Sequence, residues 1–304
     1  MRSSITFTTL LSLGLLASFG CVDEAEPNPT NTRAAEFEAK PLPEAARAPV
    51  ASVAAPELPS PPSSAPAPVP EAWQAWLDAE LTRVQAEAPQ WFDHVMTVAP
   101  KRARSGSWRL VGPELEDPNV TPVLLHRYQS GGESPEVRAA VVAALVGLEG
   151  AHAKVVGDLL TAEPDALVRV GLLSSLRRVP GPEALAALEL ALADADLQVR
   201  VSAAVIAGRH PEGASLAAPL IDALDDEPEL ALAASRSLGY LRVAPATGAL
   251  AGLLANPDPD LRLASLQAID RIDPGHAEGL AELATLVADT DPKVARAAQK
   301  IAAR

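Results

Sequence analysis

Five histidines, one cysteine and recurring columns of charge are the residues of this 304-residue chain whose types could do chemistry. The histidines are His94, His126, His152, His210 and His276. No two stand at i and i+4, the spacing that puts two imidazoles on one helix face to share a metal. No His-Glu dipeptide, no glycine-rich phosphate loop and no Gly-x-Ser-x-Gly occurs. Asp and Glu number 39, so any two can be paired on paper as acid and base, and such a pairing carries no weight. These observations predict no catalytic residue, no metal and no cofactor, and no small-molecule substrate is evident. The net charge of −14 argues against nucleic acid, which rewards clustered Lys and Arg.

The charged columns arise from a repeat. Val137, Val168, Val199, Leu230, Leu261 and Val294 hold one place in successive copies, at steps of 31, 31, 31, 31 and 33 residues. A fixed period of this size marks a stacked array. Three positions before the anchor stand Ser134, Asp165, Asp196, Glu227, Asp258 and Asp291. All but Glu227 are good helix N-caps, because a short side-chain oxygen reaches the free amides of the first turn. Pro135, Pro228, Pro259 and Pro292 follow, at the first helical position where a missing N–H costs nothing. A second acidic column, five before the anchor, holds Glu163, Asp194, Asp225 and Asp289, with Asn256 in one slot.

One position past the anchor stand Arg138, Arg169, Arg200 and Arg262. Three past it every residue is small (Ala140, Gly171, Ser202, Ala233, Ala264, Ala297), which suits close helix approach. Ten past it come Arg178, Arg209, Tyr240, Arg271 and Arg304. Two readings of this last column stand. Arginine near a helix C-terminus complements the dipole, or the period stacks a positive ridge that favours an acidic protein partner. The other helix of each unit precedes its acidic turn, as in Ala184–Leu192 and Leu216–Leu224.

The pattern Asp-x-(Asp)-Pro-x-Val-Arg-x-x-Ala-x-x-Ala-Leu resembles the HEAT repeat, and most of all the short variety of about thirty residues first described in phycobilisome lyases. The resemblance runs from Asn119 to Arg304, about six units. It implies an all-α fold, an α-α superhelix of the HEAT solenoid type, with Arg138, Arg169, Arg200 and Arg262 paired to acids of neighbouring units. Deoxyhypusine hydroxylase is a HEAT-like enzyme that binds iron through His-Glu pairs; this sequence has none, and His276-Ala-Glu278 does not fit that pattern.

At the other end, one Arg precedes an apolar run from Ile5 to Leu16, too short to span a membrane, as in a secretion signal. Ser18-Phe19-Gly20-Cys21 follows and resembles a bacterial lipoprotein signal in Gly20 and Cys21, though not in Ser18-Phe19. Cys21 is the only cysteine. Its acylation would anchor the protein in the cell envelope, and Val22, in place of Asp, points to the outer membrane under the enterobacterial sorting rule. An ordinary signal cleaved nearby is the alternative. Residues 21–70 are rich in Pro, Ala, Glu and Ser, and predict a disordered tether. It would reach roughly 40 Å as a coil.

Residues 71–118 hold all four Trp. Trp73, Trp76, Leu77, Leu81 and Val84 follow helical spacing and predict one amphipathic helix that caps the first repeat. A separate binding surface built from Trp91, Trp108 and Lys101-Arg-Ala-Arg104 is the alternative. Together these features favour an exported, non-enzymatic scaffold that binds another protein. The alternatives are a bilin-lyase-like or hydroxylase-like enzyme or accessory subunit, and a purely structural spacer.

Overall fold

A computed structural model describes residues 65–102, 108–110, 120–145 and 152–304. The signal, Cys21 and the tether up to residue 64 lie outside the described residues, as does Arg104. The regular structure of the described residues is helical, apart from one two-residue antiparallel pairing. It begins with α1 (Glu71–Glu87) and α2 (Pro89–Thr97), followed by β1 (Lys101–Arg102) and β2 (Trp108–Arg109), with Lys101 opposite Arg109. Then come α3 (Thr121–Gln129), α4 (Pro135–Val142), α5 (His152–Ala162) and α6 (Ala166–Leu176). The regular middle is α7 (Pro182–Leu192), α8 (Leu197–Ala207), α9 (Ala217–Asp222), α10 (Pro228–Leu241), α11 (Thr247–Gly252) and α12 (Pro259–Ile272). The chain closes with α13 (Pro274–Glu278), α14 (Leu283–Val287) and α15 (Pro292–Ala302).

The helix starts follow local chemistry. Asp165 accepts from the amides of Leu167 and Val168, Asp196 from Gln198 and Val199, Asp258 from Asp260, and Asp291 from Lys293 and Val294. Ser134 and Glu227 make no such bond. For Ser134 this corrects the reading of that column: its hydroxyl is held by the Glu136 carboxylate instead and keeps that carboxyl below its usual range.

Two rows of helices result. In one, α4, α6, α8, α10, α12 and α15 each pack on the next. In the other, α5 packs on α7 and α7 on α9, and each of these helices also packs on its partner in the first row. The core lies between the rows. The anchors Val168, Val199, Leu230, Leu261 and Val294 are buried, as are Leu188, Leu220, Leu250 and Leu286 of the second set of helices. Small residues set the spacing within the first row. A methyl group on Gly171 would lie 2.9 Å from the Ala139 Cα and from a Val142 methyl, and one on Gly239 would lie 2.7 Å from the Ala268 Cα.

The second row departs from ideal helices where proline and glycine intrude. Leu216–Leu224, expected as one helix, is α9 flanked by 3-10 turns at Gly213–Leu216 and Ala223–Asp225. Pro219 supplies no amide to that segment, which leaves the tighter turns to complete it. The last step of 33 residues instead of 31 falls where the segment between α12 and α15 is split into α13 and α14 around Gly279.

At the N-terminal end α1 packs on α2 and on α3, and α2 on α3. Leu77 and Val84 are buried and Trp73, Trp76 and Leu81 half-buried, so the stripe faces the body. Trp73 and Trp76 meet edge to face with ring centres 6.3 Å apart. The tether reading needs one correction. Its last six residues, 65–70, are part of the folded body: Ala67 and Val69 are 3% and 4% exposed. Their alternation turns both side chains inward, and the Ala67 amide finds a buried carboxylate at 3.2 Å.

Candidate interaction surface

The acidic turns are tied to the neighbouring unit by arginine. Arg169 forks onto Asp194, and Arg262 forks onto Asp289 with Nε–Oδ2 at 2.8 Å and Nη2–Oδ1 at 2.7 Å. Each also turns Nη1 back to carbonyls of its own loop: Glu163 and Pro164 for Arg169, Asn256 and Pro257 for Arg262. Arg200 holds Asp194 and Ala195 carbonyls likewise, but its acids are Glu227 at 2.7 Å and Asp226 at 3.4 Å. Asp225, the residue in register with Asp194, is exposed. The acids serve two masters, since Asp194 and Asp289 also accept the amides of Asp196 and Asp291. Arg169 and Arg262 engage Nε, Nη1 and Nη2 inside the fold, and Arg200 engages Nη1 and Nη2 there, so all three guanidiniums are turned to the acidic turns.

Arg138 ends the ladder in a buried cluster. Glu163 accepts from Arg138 Nη1 at 3.3 Å, from the Asp165 amide at 3.1 Å, from Ala67 and from the Tyr128 hydroxyl. Asp165 lies 3.7 Å from Arg138 Nη2. Burial, with the Glu163 carboxylate beside it, pushes the Tyr128 phenol far above its usual range. Nearby Arg127 is also buried and donates to the Val95 and Val98 carbonyls at 2.6 and 2.8 Å and to Glu133 at 2.9 Å. This cluster welds residues 65–98 to the first units. Sequence reading placed Glu163 among turn acids and missed its hub role, because its partners lie 96 and 35 residues away.

The column ten past the anchor divides. Arg178 and Arg209 are exposed, and among the described residues their side chains make no hydrogen bond or ion pair. Arg271 lies over the ring of Tyr240, its guanidinium carbon 4.7 Å from the centre, and that ring is 58% exposed. Arg304 is taken out of the ridge by Asp270, which binds it through both oxygens, at 2.5 and 2.9 Å.

A wider asymmetry surrounds this column. Between Pro182 and Arg304 every Lys and Arg lies on α8, α10, α12 or α15 or in the two residues after them. The segments carrying α7, α9, α11, α13 and α14 hold Glu183, Glu189, Asp222, Glu278 and Glu282 and no Lys or Arg. Over this stretch the cations are confined to one set of helices, which also carries Glu229, Asp260 and Asp270; Lys154 on α5 precedes the stretch, and the net charge of the chain is −14.

The histidines stay apart. His152 is buried with Nε2 3.2 Å from the Ser175 hydroxyl, and burial lowers its pKa to about 4. His210 is buried between the Val179 carbonyl, 2.7 Å from Nε2, and the Glu212 amide, 3.1 Å from Nδ1. Among the described residues no group of three His, Cys, Asp or Glu side chains could hold a metal, and no helix is long and apolar enough to cross a membrane.

No family model matches this chain, and no curated protein does. Among solved structures, the crystal structure of an engineered protein from the Northeast Structural Genomics Consortium matches at 20% identity and a TM-score of 0.40. The match covers 60% of this chain and 88% of that one.

Proposed function

We propose that this protein is a non-enzymatic scaffold, anchored in the cell envelope through Cys21, that holds another protein on the α6–α8–α10–α12–α15 row. The body is then a HEAT-type solenoid, and this row is the side that the repeat resemblance makes concave. The observation that carries the reading is the confinement of Lys and Arg to this row between Pro182 and Arg304. Packing alone does not require it, since both rows bury Ala and Leu inward. The exposed, unengaged guanidiniums of Arg178 and Arg209 support a surface kept for something outside the chain. The welded N-terminal cluster supports the helix carrying Trp73, Trp76 and Leu77 as a cap on the first repeat.

In-cell crosslinking of the full-length chain tests this, set beside a variant with Arg178, Arg209 and Arg271 changed to Glu. A partner held by the wild type and lost by the variant is the expected result. A partner retained by the variant moves the docking site off this row, and no partner in either leaves a spacer. The address is tested separately by Cys21→Ser, expected to move the protein from the detergent phase to the aqueous phase. Continued detergent partitioning of that variant would refute the anchor.

A further inference from the structure

We infer that the basic row takes an extended, acidic segment of its partner, with carboxylates three residues apart at Arg178 and Arg209, a third six residues further at Arg271, and an apolar side chain between them at Tyr240. This rests on the docking-face reading and adds the chemistry of what docks.

Arg169, Arg200 and Arg262 are spent on the acidic turns, and Arg304 on Asp270. Arg178 and Arg209 are not. Had they served only the helix dipole, their donors would be expected on the last carbonyls of α6 and α8, and no such bond is present among the described residues. Arg271 is presented differently. Its guanidinium carbon lies over the Tyr240 ring, 4.7 Å from the centre, and the residue is exposed. A cation–π contact uses none of the guanidinium's N–H donors as hydrogen bonds, so a carboxylate can still take two of them.

Arg178, Arg209, Tyr240 and Arg271 are separated by steps of 31, one unit each. Packed helices stand about 8–10 Å apart. An extended segment in the polyproline II form rises about 3.1 Å per residue with three residues per turn, so every third side chain returns to the same face after about one step. About ten residues therefore run from Arg178 to Arg271, in the pattern acid-x-x-acid-x-x-apolar-x-x-acid or its reverse. Duplex nucleic acid does not fit this pitch, because it carries a charge about every 1.7 Å. A helical partner would place its acids about seven residues apart, but it also needs an apolar groove. On α6, α8 and α12 Val170, Val201 and Leu263 are half-buried, and Val205 offers only 37% exposure. That surface is too broken to seat a helix and adequate for single side chains.

The purified full-length chain, titrated into fluorescein-labelled peptides and followed by anisotropy, decides the matter. The spaced probe is Glu-Ser-Gly-Glu-Ser-Gly-Leu-Ser-Gly-Glu. A second probe has the same composition with its glutamates adjacent, and a third is an alanine-rich helix with Glu at every seventh position. The spaced probe is expected to bind roughly tenfold tighter than the adjacent one, since matched charge separation is what the row selects, and to weaken as salt rises. Arg178→Glu with Arg209→Glu is expected to lose about tenfold, and Glu189→Lys on α7 to lose nothing. Unchanged melting curves show that each variant still folds. Equal binding of the spaced and adjacent probes, tighter binding of the helix, binding of phosphatidylglycerol vesicles in place of peptide, or no binding at all overturns the inference. A crosslinked partner lost on charge reversal but contacting the row through a non-acidic segment overturns it while leaving the docking face intact. Absence of any crosslinked partner removes the docking face itself.

Discussion

Arg169 and Asp194 come from neighbouring units and meet in two parallel hydrogen bonds, Nε to Oδ2 at 2.8 Å and Nη2 to Oδ1 at 2.7 Å. The side chains are 13% and 15% exposed, so the pair is shielded without being dry. Arg169→Met removes this link and the bonds to the Glu163 and Pro164 carbonyls together. The expected cost is about 2 kcal/mol in urea unfolding. Arg304→Met breaks a similar fork with Asp270 at an exposed end and is expected to cost much less. Equal losses at the two sites would mean that the ladder adds nothing beyond a surface pair.

Acid should loosen the same link. Burial disfavours the charged form of Asp194, but the hydrogen bonds from Arg169 and the Asp196 amide, with the charges of Arg169 and Arg200, outweigh it and hold the carboxyl below its usual range. Its folded pKa lies under an unfolded value of about 3.9, so the contribution is present above that value and is lost as pH falls through the folded one. The Asp194→Asn variant is expected to show a shallower loss of stability below about pH 4 than the wild type. An identical acid limb in both would remove Asp194 from the account.

The caps allow a sharper comparison within one column. Asp196 accepts from two first-turn amides, at 2.9 and 3.2 Å, whereas Ser134 accepts from none. Asp196→Ala is expected to cost about 1 kcal/mol, and Ser134→Ala no more than a few tenths. Thermal melting of the two variants checks this, and a larger loss at Ser134 would contradict the assigned bonds.

Why the two residues differ shows what a sequence can carry. A cap is a local event, settled within three residues, so the repeat displays it plainly. The competitor for Ser134 is also local, Glu136, but nothing in the residue types says which bond wins. Long-range contacts are less legible still. Glu163 looks like any other turn acid, yet it gathers Ala67, Tyr128 and Arg138 because α1–α3 and the end of the tether fold back over the first units. Arg304 looked like the last member of a ridge until Asp270, one position earlier in the neighbouring unit's register, claimed it. Periodicity locates equivalent positions, but it leaves open which neighbour each side chain chooses.

Close approach within the first row gives a test in which helix propensity and packing oppose each other. Gly171 and Gly248 both lie inside helices, α6 and α11. A methyl at Gly171 would press on the Ala139 backbone and on Val142, while at Gly248 nothing lies within 4 Å. Gly248→Ala is expected to stabilise by about 0.5–1 kcal/mol through propensity alone. Gly171→Ala carries the same gain, but two helix backbones must part to admit it, for a net loss of about 1–3 kcal/mol. Opposite shifts in melting temperature are the expected result, and a stabilised Gly171→Ala would show that α4 and α6 can separate freely.

His152 carries the last prediction, because it changes charge in a range where few other groups do. Burial holds its imidazole neutral and lowers the pKa to about 4, against 6.5 in an exposed chain. Between those values the unfolded state binds a proton that the folded state refuses. Stability therefore falls as pH drops from about 6.5 and stops falling, for this group, near 4. A shift of this size is worth about 3 kcal/mol over the whole window. Carboxylates contribute to the lower part, so the decisive interval is about pH 6.5 to 5. His152→Leu keeps an apolar body in the site and has nothing to protonate. The wild type is expected to lose stability across that interval in urea titrations, and His152→Leu to stay level. A wild-type curve that is also level would mean that water reaches the ring, and that α5 opens at its first turn to let the proton in.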